Sequence, residues 1–115
     1  MSQPQQIDPA AHRILILDDE DIVRFALRVT LEREGYKVIT HGNPLEAVEA
    51  LRGAPISVII SDQQMPEMTG LDFLSKARES QPDTTRILIT AVLSLDTVID
   101  AINRGEIYRF IVKPW

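Results

Sequence analysis

Residues 58–77 hold the pattern that most restricts the fold. Val58-Ile59-Ile60 sets three β-branched residues in succession without polar alternation. Such a run reads as a strand covered on both faces, and therefore central in a parallel sheet. It ends at Asp62. Pro66 and Gly70 punctuate the loop that follows, and Leu71-Asp72-Phe73-Leu74-Ser75-Lys76-Ala77 then spaces its apolar residues as an amphipathic helix. Open parallel sheets bind ligands beyond the carboxyl ends of their strands. Asp62 is therefore well placed for chemistry, although alone it reads equally well as a turn opener or a helix cap.

The remainder of the chain supplies partners for that strand. Arg13-Ile14-Leu15-Ile16-Leu17 is a second apolar run, closing on Asp18-Asp19-Glu20-Asp21. A helix follows from about Asp21 to Glu34, with Val23, Ala26, Leu27, Thr30 and Leu31 as its core stripe. Ile22, Phe25 and Val29 form a second apolar stripe that one core does not require. Gly35 suits the position just past the helix end. Tyr36 to Thr40 alternates as a strand, and Asn43-Pro44 reads as an N-cap with proline in the first turn. That short helix runs to about Arg52, with Ala47, Val48 and Leu51 inward. Strands at Arg86–Ile89 and Tyr108–Val112 flank a last helix spaced by Leu95, Val98, Ile99 and Ile102. Strands alternating with helices predict a parallel sheet with right-handed crossovers. Residues 1–11 are polar and aperiodic and read as a loose tail, leaving 12–115 as one domain.

Composition removes several function classes. The net charge of −5 argues against nucleic-acid binding by this segment, because phosphate contacts need a basic face. The absence of cysteine excludes disulfides, zinc thiolates and thiol catalysis. No apolar run approaches the ~18 residues of a membrane span. The expectation is a soluble cytoplasmic domain that meets neither membrane nor nucleic acid.

Polar residues gather where the strands end: Asp18 and Asp19, Asp62, Thr90 and Lys113. Each has an ordinary explanation by itself, as a helix start, a β-former or a solvated cation. At one edge of one sheet they become a chemical set. Converging carboxylates repel unless a cation lies between them. Oxygen ligands without histidine or cysteine select Mg²⁺ or a similar hard ion. A lysine and a hydroxyl beside it would cradle a phosphoryl group, with one carboxylate as nucleophile towards phosphorus.

These residues resemble the receiver domain of bacterial two-component response regulators, a flavodoxin-like fold with a doubly wound parallel five-stranded sheet in the order 2-1-3-4-5. The resemblance runs from Arg13 to Pro114. It is carried by Leu17-Asp18-Asp19-Glu20, by Asp62-Gln63-Gln64-Met65-Pro66-Glu67-Met68-Thr69-Gly70, by Ile89-Thr90-Ala91 and by Lys113-Pro114. It implies that Asp62 accepts a phosphoryl group from a sensor histidine kinase or phosphotransfer protein. Asp19 and Asp62 would hold Mg²⁺ with the carbonyl of Gln64, and Asp18 would act through a bound water. Thr90 would move to the phosphoryl oxygen, Lys113 would pair with it, and Tyr108 would be the switch aromatic that follows Thr90. Gln64 and Val92 match positions lining the mouth of the family's site, and Lys113-Pro114 matches a bond commonly cis there. The strip of Ile22, Phe25 and Val29 would be the kinase-docking surface. An output domain would lie C-terminal to this chain.

Two departures from the family pattern matter. Gly105-Glu106 stands where the family often has Gly-Ala, which changes the surface beside Tyr108. Trp115 falls where the family's last helix would begin, so that helix is expected to be missing here. The sheet face it would cover leads to a further expectation, self-association of this chain.

Rival readings are weaker. Phosphatases and mutases of the haloacid-dehalogenase type use Asp-x-Asp-x-Thr after the first strand, whereas Asp18-Asp19-Glu20-Asp21-Ile22 lacks the threonine. A nucleotide-binding domain needs a glycine-rich loop there, and none exists. A phosphorylation-independent pseudo-receiver, serving only to bind protein, is the alternative; such modules usually lack the acceptor or the acid pair.

Overall fold

The β-branched and leucine runs pair side by side, in register, to build one parallel sheet. The computed structural model describes residues 8–90, 95–105 and 107–112, with the side chains of 95–98 left aside. In chain order the elements are β1 (Arg13–Leu17), α1 (Asp21–Arg33), β2 (Lys37–His41), α2 (Pro44–Ala50), β3 (Val58–Asp62), α3 (Gly70–Ser80), β4 (Thr85–Thr90), α4 (Leu95–Asn103) and β5 (Arg109–Val112). The five strands lie in the order β2-β1-β3-β4-β5 and every pair is parallel, as expected for a flavodoxin-like sheet. A 3-10 turn at Pro9–Ala11, capped by the Asp8 side chain, precedes β1, and residues 1–7 of the expected tail lie outside the described residues.

Local chemistry sets the element boundaries. The Asn43 side chain accepts a hydrogen bond from the Leu45 amide, and Pro44 starts α2 with its φ already helical. The Thr69 hydroxyl accepts from the Asp72 amide at the start of α3. Past the end of α1, Gly35 has a φ of +95°, a conformation that glycine adopts without a Cβ clash.

The main core lies on one face of the sheet. Leu15, Leu17, Ile59 and Leu88 meet Ala47 and Leu51 of α2, Phe73, Leu74 and Ala77 of α3, and Ala101 of α4. Ile14 and Ile16, one residue out of step, belong to the opposite face and are buried as well. There α1 packs on β1 and β2.

Two expectations about packing change. The most completely buried strand is β1, in which Ile14 through Leu17 are all buried, rather than β3, whose Val58 and Ile60 are half-buried. The cause is the reach of α1, which covers the β1 and β2 side of the sheet. The core stripe of α1 is also narrower than its sequence suggests. Val23, Leu27 and Leu31, spaced by four, are half-buried, whereas Ala26 and Thr30 are exposed. A single row meets the sheet, and Thr30 returns its hydroxyl to the Ala26 carbonyl.

Candidate functional site

The strand register brings the polar strand ends together. Leu17 is opposite Ser61, so Asp18 is the next step of β1 beside Asp62, the last residue of β3. Asp62 is opposite Ile89, and Thr90 follows at the end of β4. These neighbours are the innermost polar groups of the sheet edge: Asp18 is 1% exposed, Asp62 6% and Thr90 1%. Each has interaction partners. Burying two carboxylates on adjacent strands is costly unless positive charge or hydrogen-bond donors compensate.

Donors from the loops fix the carboxylates. The Glu20 amide donates to Asp18 Oδ1 at 2.9 Å, and the Gln63 amide donates to Asp62 Oδ1 at 2.9 Å. The same Gln63 amide reaches the Ile89 carbonyl at 3.0 Å, extending the β3–β4 ladder one step past Asp62. Gln63 then clamps the start of α3 twice. Its carbonyl accepts from the Gly70 amide and its side-chain Oε1 from the Leu71 amide, both at 2.9 Å. Periodicity does not single out Gln63, because its role depends on loop closure.

The oxygen donors suit a hard divalent cation. Asp18, Asp19 and Glu20 each offer a carboxylate oxygen, and these lie within 4.8 Å of one another. Among the described residues Asp62 is not part of that cluster. Glu20 is the member that motif reasoning passed over, although the unbroken acid run was its signal. With buried and exposed carboxylates side by side and no nitrogen or sulfur ligand in the group, the donor set fits Mg²⁺. Gln64 is exposed in the β3–α3 loop.

Tyr108 precedes β5 with 65% of its surface exposed, and the Arg109 guanidinium carbon is 5.6 Å from its ring centroid. Its amide donates to the Arg86 carbonyl at 2.7 Å. Lys113, with Pro114 and Trp115, lies outside the described residues, as do Val92 and Glu106. Ile22, Phe25 and Val29 are solvent-exposed on α1, Ile22 at 75% and Phe25 at 69%.

A buried cation lies away from the acids, near the start of β4. Arg86 donates to the carbonyls of Thr84 and Gly105, each at 3.0 Å, and to Pro82 at 3.3 Å. Burial, reinforced by the nearby Arg78 charge, lowers its pKa from the ordinary arginine value.

Comparison with known proteins agrees with this geometry. The family model described as "Response regulator receiver domain" matches residues 14–115. The hydrogenase transcriptional regulatory protein HoxA of Cupriavidus necator is 40% identical over 102 residues, which are 89% of this chain and 21% of that protein. The chain thus spans about a fifth of the curated relatives it matches. The beryllofluoride-activated NtrC4 receiver domain dimer superposes with a TM-score of 0.83 at 36% identity, covering 90% of this chain and 84% of that one. The response regulator TrrA of Thermotoga maritima, solved in complex with Mg²⁺-BeF, gives a TM-score of 0.79 at 29% identity over 90% of this chain and 88% of that one. Sheet order, the buried acids at its edge and these matches lead to one conclusion: the chain belongs to the response regulator receiver domain family.

Proposed function

We propose that residues 12–115 form a phosphorylation-activated switch in which Asp62 accepts a phosphoryl group from a sensor histidine kinase or phosphotransfer protein. The observation that carries this reading is the burial of Asp62 at the end of the middle strand, flanked by Asp18 and Thr90 on the neighbouring strands. Asp18, Asp19 and Asp62, with the Gln64 carbonyl, would hold Mg²⁺, which would offset charge on the transferring phosphoryl oxygens. The chain's own groups do the rest. Asp62 is the nucleophile, Thr90 and Lys113 take the phosphoryl oxygens, and Tyr108 changes position with Thr90. The exposed strip of Ile22, Phe25 and Val29 borders the acid pair and would receive the kinase.

The relatives are named as regulators, which supports a signalling role over a turnover enzyme. Several are transcriptional regulatory proteins of greater length, which supports an output domain C-terminal to this segment, in the cytoplasm. No helix of the described residues is long and apolar enough to cross a membrane. Self-association belongs to the same proposal. On the α1 face Ile60 and Ile87 are half-buried and Ile111 is 38% exposed, an apolar row that a second copy would cover. Light scattering tests it, and a monodisperse monomer at high concentration would refute it.

Acetyl phosphate with Mg²⁺ separates the rival functions. A switch becomes labelled in a near-stoichiometric, slowly decaying way. A phosphatase would release phosphate over many turnovers, and a pseudo-receiver would do neither.

A further inference from the structure

The β1–α1 turn carries an acid run, yet α1 has no side-chain N-cap, because Glu20 makes no capping hydrogen bond. A cation from one turn into the helix holds the turn in a different way, donating to it rather than accepting from the helix amides. Arg24 Nη1 donates to the Asp18 carbonyl at 2.6 Å, while Nη2 pairs with the Asp21 carboxylate. The Arg24 side chain is only 21% exposed, whereas that of Asp21 is 94% exposed. The guanidinium thus holds the peptide of the buried acid on one side and an exposed acid on the other.

The room for this comes from a third element. A Cβ on Gly42, in the β2–α2 loop, would lie 2.6 Å from Arg24 Nη1 and 3.1 Å from its guanidinium carbon. Gly42 therefore leaves the slot that the guanidinium occupies. Its φ is not in the left-handed region, so space is the reason for glycine here. The neighbouring Asp18 amide donates to the His41 carbonyl, so the loop is tied to the same turn from its backbone side.

We propose that Arg24, seated against Gly42, is a positioning residue for the Mg²⁺ site: it fixes the Asp18 peptide and draws Asp21 away, leaving Asp18, Asp19 and Glu20 as a preformed oxygen cluster. This rests on the receiver reading above. Two effects of Arg24 on a cation oppose each other. Its charge repels Mg²⁺, and its hydrogen bonds order the ligands. Residues that orient metal ligands typically alter affinity ~10–100-fold when lost. A partly exposed charge several ångströms away is screened to a smaller effect.

The two substitutions separate these effects. Gly42→Ala pushes the guanidinium out of its slot but leaves its charge nearby, and a flexible side-chain end can yield without unfolding the chain. Arg24→Met removes both charge and hydrogen bonds. Calorimetric titration with Mg²⁺ alone should show about tenfold weaker binding for Gly42→Ala. For Arg24→Met the loss should be smaller, only a few-fold, because a repelling charge has also gone. In the Arg24→Met background Gly42→Ala should have no further effect, since nothing remains to displace. Melting without Mg²⁺ confirms that each variant is folded.

Unchanged Mg²⁺ affinity in folded Gly42→Ala would overturn the proposal. So would tighter binding by Arg24→Met, which would mean that the guanidinium acts only as a repelling charge. Additive losses in the double variant would also overturn it, by showing that Gly42 acts independently of Arg24. If the unsubstituted chain binds no Mg²⁺ at all, the receiver reading of the acid cluster fails first and this inference falls with it.

Discussion

Gly70 lies directly against the main chain of Asp62. A Cβ at Gly70 would be 2.9 Å from the Asp62 carbonyl carbon and nearer still to its oxygen, and 2.9 Å from Leu88 Cδ1. Backbone cannot yield there as a side-chain tip can. Gly70→Ala is expected to lower stability by ~1–3 kcal/mol through overpacking, and to slow labelling of Asp62 by displacing its strand end. Urea unfolding and acetyl phosphate labelling measure the two effects. A fully stable and fully active Gly70→Ala protein would show that this contact does not set the position of Asp62.

Gln63 is expected to act at the same junction from the other side. Gln63→Ala removes the acceptor for the Leu71 amide but leaves the backbone bonds to Gly70 and Ile89. The loss should be ~1 kcal/mol. Amide exchange should rise in the first turn of α3 and not in α2, and equal changes in both helices would contradict the assignment.

Arg86 anchors the turn between α4 and β5. Its donors reach the Gly105 and Thr84 carbonyls, and Arg78 meets the adjoining Arg104 carbonyl at 3.0 Å. Arg86→Met should cost ~2–4 kcal/mol, because carbonyls shielded from water lose their donors. A depressed pKa means that burial works against the charged form. Stability contributed by this shift is fully present above arginine's unfolded pKa and is lost as pH falls through the lowered folded value, so folding should show no acid-side pH dependence from Arg86, at or below neutral pH. An added transition inside that range, lost in Arg86→Met, would contradict this.

Phe25 tests the docking strip. With 69% of its surface exposed, Phe25→Glu should change stability by no more than ~0.5 kcal/mol. Transfer from a phosphorylated sensor kinase should slow, while labelling by acetyl phosphate should persist. Equal loss of both would place Phe25 in the fold rather than at a partner surface.

The strands were legible because β-branched and leucine runs ending in polar residues leave little choice, and Asn43-Pro44 announced α2 by its chemistry. The register that sets Asp18, Asp62 and Thr90 side by side follows from parallel pairing of those runs. Less legible was the narrow contact of α1. Ala26 and Thr30 share the helical period of Val23 and Leu27, yet face water because one row suffices to meet the sheet. The half-exposed flank of β3 was hidden for a related reason, since an uninterrupted apolar run does not report which helix covers each face. Gln63, Arg24 and Gly42 were illegible as functional positions because their roles arise from bonds and close approaches between separate loops.

Trapping of the phosphorylated residue tests the central claim most directly. The chain is labelled by acetyl phosphate with Mg²⁺, reduced with borohydride to convert an acyl phosphate to homoserine, and mapped by peptide mass spectrometry. The expected result is homoserine at position 62 alone, dependent on Mg²⁺ and absent from Asp62→Asn, because an amide is neither nucleophile nor good metal ligand. Undiminished labelling of Asp62→Asn, or homoserine at Asp18 or Asp19 in the unsubstituted chain, would contradict the assignment of Asp62 as the acceptor.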